Sequence, residues 1–237
     1  MKVQASVLSA VVVSLGALQA QAHIAVNTVK PAVAATTQEL TFTVGHGCEG
    51  ADTTRIEVSI PEGVGGVRPL DSVFGKARLT KDATTGRVTA VTWTKAEADV
   101  LEEDTQLYKL TLRAALPDVP FTTLFFPTVQ TCRKADGTVL TAKWVALSTE
   151  HDHSGGGTTP ELPAPALFVL PARTPGWNKY TVTQHVHDLT VFGDAQIVWA
   201  GKAAYSPSAQ ITSLLAQEPD TQVLREIHPD TEIWVRY

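Results

Sequence analysis

A histidine that begins a polypeptide offers two nitrogens to one metal ion: its α-amine and its imidazole can close a chelate ring well suited to Cu(II). His23 stands directly after Ala20-Gln21-Ala22, a small-x-small pattern that predicts cleavage after Ala22. Lys2 precedes an apolar stretch over residues 7–18, so residues 1–22 read as a signal peptide and His23 as the mature N-terminus. The α-amine has a reference pKa of about 7.7–8.0, so at neutral pH the metal must displace a proton.

A second group of donors lies in Gly45-His46-Gly47-Cys48-Glu49-Gly50. A carboxylate such as Glu49 suits an amine–imidazole chelate, because it neutralises charge on Cu(II) and adds a hard oxygen donor. His46 offers a further imidazole. Both residues also have ordinary readings, Glu49 as an exposed turn residue and His46 as a hydrogen-bonding loop residue. Asp52 is a neighbouring carboxylate that competes with Glu49 for the role. Weaker metal candidates are His185 and His187, which share one face if their segment is extended. His151 and His153 lie in a polar, glycine-rich stretch that reads more simply as a solvated loop.

The donors that are missing narrow the metal. The sole methionine is Met1, and the two cysteines, Cys48 and Cys132, are expected to oxidise to a disulfide in an exported chain. A bridge across 84 positions stabilises a fold by roughly 4 kcal/mol on the chain-entropy model. A metal–thiolate role for the pair is the competing reading. With the disulfide formed, no thiolate or thioether remains for Cu(I), and a blue-copper electron carrier lacks its sulfur ligands.

These residues need a rigid frame, and the chain up to about residue 170 reads as all-β. Residues 40–44 alternate strictly between apolar and polar, and residues 55–60 repeat the pattern until Pro61 and Gly63 stop it. Further strands are expected over 87–94, 106–113, 123–131 and 139–147, the last after a turn at Ala135-Asp136-Gly137. Residues 24–29 would form an edge strand beside the His46 loop, and residues 95–103 at most a turn or two of helix. Short Val- and Thr-rich strands at this spacing predict a two-sheet antiparallel sandwich. Residues 148–165 read as a linker. Beyond it, a strand over 194–199, a helix over 208–217 and a last strand over 232–235 predict a small α+β extension. About 60 residues make a small independent core, so the extension is expected to pack on the sandwich.

Taken together, the chain divides into a leader over 1–22, a β-sandwich over 23–170 and an extension over 171–237. Loss of Lys2 leaves 18 of the 19 basic residues against 24 acidic ones. That mild acidity speaks against a nucleic-acid partner, which needs clustered Lys and Arg. No later apolar run reaches the roughly 18 residues that span a membrane, and no anchor is expected. The mature protein reads as soluble, and as periplasmic or secreted.

The sequence resembles the YcnI-like family of exported copper-binding proteins over roughly residues 23–170. The residues that carry the resemblance are Ala22-His23-Ile24, Gly45-His46-Gly47-Cys48-Glu49, Thr53-Thr54-Arg55-Ile56-Glu57-Val58, Ile60-Pro61-Glu62-Gly63-Val64, Phe126-Pro127-Thr128-Val129-Gln130-Thr131-Cys132 and Trp144. The resemblance implies an immunoglobulin-like or cupredoxin-like sandwich. It also implies a single-histidine brace, with Cu(II) held by the amine and imidazole of His23 and by a loop carboxylate, at the place Glu49 occupies. Trp144 matches a tryptophan packed near the metal, although an inward tryptophan on a sandwich strand is by itself an ordinary core residue. The tail after residue 175 departs from the family pattern.

Three functions compete on this reading. The first is a Cu(II) chaperone or buffer in copper homeostasis, exchanging the ion with a copper transporter or another periplasmic chaperone. The second is a brace-type copper oxidase or monooxygenase, for which His46 would be the second imidazole. The third is a metal-free envelope β domain. No nucleophilic triad, phosphate-cradling loop or paired-carboxylate motif points to a hydrolase, and the first reading is not an enzyme.

Overall fold

The computed structural model describes residues 23–147 and 162–237; the expected leader, residues 1–22, and His151 and His153 lie outside the described residues. The strands of the sandwich are β1 (Ala25–Asn27), β2 (Thr37–Val44), β3 (Asp52–Ser59), β4 (Gly65–Pro69), β5 (Ala77–Lys81), β6 (Val88–Thr94), β7 (Tyr108–Ala115), β8 (Thr122–Phe125), β9 (Thr128–Arg133), β10 (Val139–Ala146), β11 (Leu162–Pro163) and β12 (Ala166–Val169). One sheet runs β1-β2-β7-β4 and a second β11-β10-β9-β3-β6-β5, while β8 and β12 pair with each other. Every pairing is antiparallel except β10–β11.

Alternation explains why these segments face each other. On β2, Leu40, Phe42 and Val44 are buried, and across the register stand the buried Leu112, Leu110 and Tyr108 of β7. From the other sheet come Ile56 and Val58 of β3, Val91 and Trp93 of β6 and Trp144 of β10, and these side chains form one core. A period-two apolar row on each sheet gives two inner faces that can only be hidden against each other.

Residues 123–131, expected as one strand, are two. The chain leaves the β8–β12 pair at Phe126, whose N–H donates to the Pro165 carbonyl, and enters β9 at Thr128 after Pro127. Pro127 has no N–H for a ladder, and its own carbonyl accepts from Ser59 N. The remaining expected strands stand within a few residues of their observed bounds. The stretch 95–103 holds a single 3₁₀ turn at Glu97–Asp99.

The extension forms a separate sheet of β13 (Trp177–Thr181), β14 (Ile197–Ala200), β15 (Ala203–Tyr205), β16 (Gln222–Val223) and β17 (Glu232–Arg236), in the order β13-β17-β14-β15-β16. A short helix, α1 (Ala209–Leu215), connects β15 to β16 and buries none of its side chains. Val182, Val186, Phe192, Val198, Ile227, Ile233 and Val235 make a second core, and Phe121 and Leu170 from the sandwich side are part of it. Among the described residues, no helix is long and apolar enough to cross a membrane.

Candidate metal centre

The His46 loop is shaped by four constraints. Its first is the disulfide between Cys48 and Cys132, whose Cα atoms are 5.7 Å apart. Next, Ala51 N–H donates to the Cys48 carbonyl at 2.9 Å, closing a two-residue turn with Glu49 at φ 50° and Gly50 at φ 77°. Positive φ at both central residues is the hairpin geometry that strand twist favours. Third, Gly47 lies so close to the Ala51 carbonyl that a Cβ there would stand 1.8 Å from its oxygen. Last, Gly47 N–H donates to Asp104 Oδ2 at 2.5 Å, tying the loop to the segment before β7.

His23 enters beside this loop. The β1–β2 register pairs Ala25 with Thr43 and Val26 with Phe42, so the chain just before β1 lies at the end of β2 from which the His46 loop starts. The His23 side chain is exposed, and its ring meets that of Trp144 edge-on, with centroids 5.8 Å apart and planes at 77°. Trp144 itself is 3% exposed and so belongs to the core as well as to the surroundings of His23.

A buried glutamine joins these parts. Trp144 Nε1 donates to Gln130 Oε1 at 3.1 Å, while Gln130 Nε2 donates to the His46 carbonyl at 2.8 Å and to Thr53 Oγ1 at 2.9 Å. Gln130 is 1% exposed, so leaving either end of its amide unpaired would carry a desolvation cost of about 1–3 kcal/mol. The amide therefore fixes the indole and the His46 backbone relative to each other. His46 Nδ1 lies 2.6 Å from the Gly47 carbonyl. A carbonyl accepts, so Nδ1 is the donor in that hydrogen bond, which fixes the ring against its own loop.

Glu49 is turned elsewhere. Its carboxylate is 75% exposed and stands 3.5 Å from Lys134 Nζ. Gln130 and Cys132 of β9 and Lys134 just beyond it follow one another at two-residue steps away from Thr128, the partner of Trp144. Glu49 thus sits farther along the strand than the residues gathered at Gln130. Asp52, the neighbouring carboxylate, is fully committed to the fold. Its Oδ2 accepts from Lys95 Nζ at 2.5 Å and from Leu101 N–H at 2.9 Å, and its Oδ1 from the Tyr108 hydroxyl at 2.6 Å. Both side chains of the ion pair are buried, Asp52 at 0% and Lys95 at 3%. Burial and the hydrogen bond to Asp52 push the Tyr108 hydroxyl well above the ordinary tyrosine range.

Sequence reasoning did not find Gln130, Asp104 or the Asp52–Lys95–Tyr108 trio. Gln130 carries a legible signal, since it takes an inward place in the alternation Thr128, Gln130, Cys132. His185 and His187 flank an isolated bridge residue, Val186, rather than lying in a continuous strand. Among the described residues, one group of three His or carboxylate donors comes within 4.8 Å of one another: His185, Glu226 and His228.

Residues 23–169 match the family model described as "Domain of unknown function (DUF1775)". A solved structure of an uncharacterized protein from Nocardia farcinica, described as revealing an immunoglobulin-like fold, is 26% identical, with 62% of this chain and 98% of that one covered at a TM-score of 0.48. No curated protein matches the chain.

Proposed function

This chain belongs to the DUF1775 family over residues 23–169, and we propose that its mature form is an exported protein that binds Cu(II) through the α-amine and imidazole of His23, as a copper chaperone or buffer. The observation that carries the reading is the pairing of an exposed His23 with the buried Trp144 ring, beside a loop whose backbone is held by Gln130. A cation docked on His23 would stand close to an indole, which attracts positive charge. The sulfur inventory supports the oxidised ion, because the cysteines are bonded to each other and no methionine follows Met1.

For the remaining donors, His46 is a candidate because its loop continues from β2, the strand that pairs with β1 just after His23. Glu49 would supply the carboxylate after leaving Lys134, at little cost, since exposed ion pairs contribute only about 0.2–1 kcal/mol. Asp52 is excluded by its own buried hydrogen bonds. Protein that begins at His23 is expected to bind Cu(II) with nitrogen-rich paramagnetic resonance parameters. His23→Ala, which removes the imidazole and leaves a lone α-amine, is expected to bind Cu(II) far more weakly. Unchanged copper affinity in His23→Ala would sink the proposal, and no copper uptake with the N-terminus confirmed at His23 would favour a metal-free β domain. The alternative is an oxidative copper enzyme with His46 as a second imidazole, and hydrogen peroxide formation by the copper-loaded protein with a reductant would favour it.

A further inference from the structure

The extension holds a second set of donors, unrelated to the N-terminus. Val186 and Ile227 form an isolated antiparallel bridge and exchange both backbone hydrogen bonds, at 2.9 and 3.0 Å. That register sets His185 across from His228 and His187 across from Glu226. Val186 and Ile227 are 3% and 1% exposed, so their side chains point into the second core. The four flanking residues then share the opposite, outward face, because side chains alternate along an extended chain. They flank a hydrogen-bonded pair and so occupy the closer-spaced positions of the ladder.

The side chains converge on one carboxylate. Glu226 Oε2 lies 3.3 Å from His185 Nε2 and 3.6 Å from His187 Nδ1, and Glu226 Oε1 lies 3.6 Å from His228 Nε2. The His185 ring stacks on both other imidazoles, with centroids 3.8 Å from His187 and 4.5 Å from His228. His185 Nε2 is cut off from solvent and has no hydrogen-bond partner among the described residues, although it faces Glu226. A polar nitrogen in that state carries a desolvation cost that a bound cation would remove.

We infer that His185, His187, His228 and Glu226 form a binding site for a divalent ion of the Zn(II) type. Three borderline imidazoles with one hard carboxylate are a set unsuited to Ca(II) or Mg(II) and well suited to Zn(II), with Cu(II) a stronger competitor for the same atoms. Tetrahedral ligands at about 2.0–2.1 Å from zinc stand roughly 3.3 Å apart. The His185, Glu226 and His228 donors already lie within 4.8 Å of one another, and His187, whose Nδ1 is 3.6 Å from Glu226 Oε2, would have to turn toward them to supply the fourth. Glu226 supplies one negative charge to the ion, and the exposed edge of the cluster gives it an entry path.

The test uses the untagged mature chain with His23→Ala, which removes the imidazole of the N-terminal chelate and leaves this cluster intact. Calorimetry with Zn(II) is expected to give a single binding event. His187→Ala/His228→Ala is expected to weaken it by more than the roughly 10–100-fold typical of losing an outer-shell partner. Glu226→Gln, nearly the same shape, is expected to weaken it with an unchanged circular dichroism spectrum, which separates ligand loss from misfolding. Cu(II) bound to the same protein is expected to show hyperfine splitting from three nitrogens. Absence of Zn(II) binding, or binding unaltered in the folded double variant and in Glu226→Gln, would overturn the inference.

Discussion

Glu49 shows how a residue's conformation and its chemistry can be tested apart. It is a non-glycine residue at φ 50°, in a region where an L side chain costs roughly 1–2 kcal/mol. Asparagine tolerates that conformation better, because its short side chain bonds locally. Glu49→Asn is therefore expected to leave stability unchanged or raise it by up to about 1 kcal/mol while removing the carboxylate. If Glu49 closes the copper site, Cu(II) affinity falls although the urea midpoint does not. Equal affinity in the two proteins would remove Glu49 from the ligand set and leave His46 as the partner of His23. The Lys134 pair does not confuse the comparison, since an exposed pair at 3.5 Å adds little to stability.

Among the elements, β3 and β7 are tied at their ends by the Asp52–Lys95–Tyr108 trio, and this tie has a pH signature. The Tyr108 hydroxyl is raised first by burial and then by donating to Asp52. Below pH 10, the ordinary tyrosine value, folded and unfolded chains both hold the proton and the full stabilisation is present. Above it the unfolded chain loses the proton first, so the folded state binds more protons and stability falls as pH rises toward the folded value. Tyr237, pushed up to about 12 mainly by burial, acts in the same direction, so the informative quantity is a difference between two proteins. Tyr108→Phe leaves Asp52 Oδ1 short of a donor, which is expected to cost about 1–3 kcal/mol near pH 7. The gap from wild type is expected to narrow above pH 10, as followed by urea midpoints at several pH values; a gap independent of pH would refute the assignment.

The same elements show what the sequence makes legible. Strict alternation in β2 and β3 reveals both strands and their inward residues, because each packs one face and wets the other. It fails at Phe126-Pro127, where the apolar pattern continues while the chain changes partners. A break of that kind is written in the proline and in distant strands, not in local periodicity. The edge strand β5 is largely exposed and its side chains carry no apolar row to read. At the candidate site, His23 and His46 are legible by type and place in the chain, while Trp144 is marked out only by the family resemblance. The direction of Glu49 is not, because it depends on a turn conformation and on Lys134, 85 residues away. His185-Val186-His187 is legible as a pair, but its completion needs Glu226-Ile227-His228, whose mirrored polar–apolar–polar pattern becomes meaningful only once the two segments are known to bridge.

Across the whole molecule, the two cores meet at Phe121 and Leu170. Phe121 is 1% exposed, its N–H donates to the Val169 carbonyl, and its ring contacts Tyr180 of the extension edge-on with centroids 5.8 Å apart. Leu170 is bonded in both directions to the segment before β2, accepting from Ala34 N–H and donating to the Ala32 carbonyl. The extension thus shares its apolar interior with residues anchored in the sandwich, and about 60 residues would gain little stability from their own core. This coupling makes the wild-type protein expected to unfold in one cooperative transition. Phe121→Ala removes a buried aromatic at the junction, at an expected cost of about 3–5 kcal/mol. The loss falls on the contact between the units, so the variant is expected to melt in two steps by calorimetry, with the extension leaving first. Added Zn(II) is then expected to raise only the earlier step, because the proposed ligands lie wholly beyond residue 184, whereas Cu(II), which competes for the same imidazoles, is expected to raise the later step as well if it is bound at an N-terminal His23. A single transition in Phe121→Ala, shifted as a whole by either ion, would show that the two cores remain one folding unit without this ring.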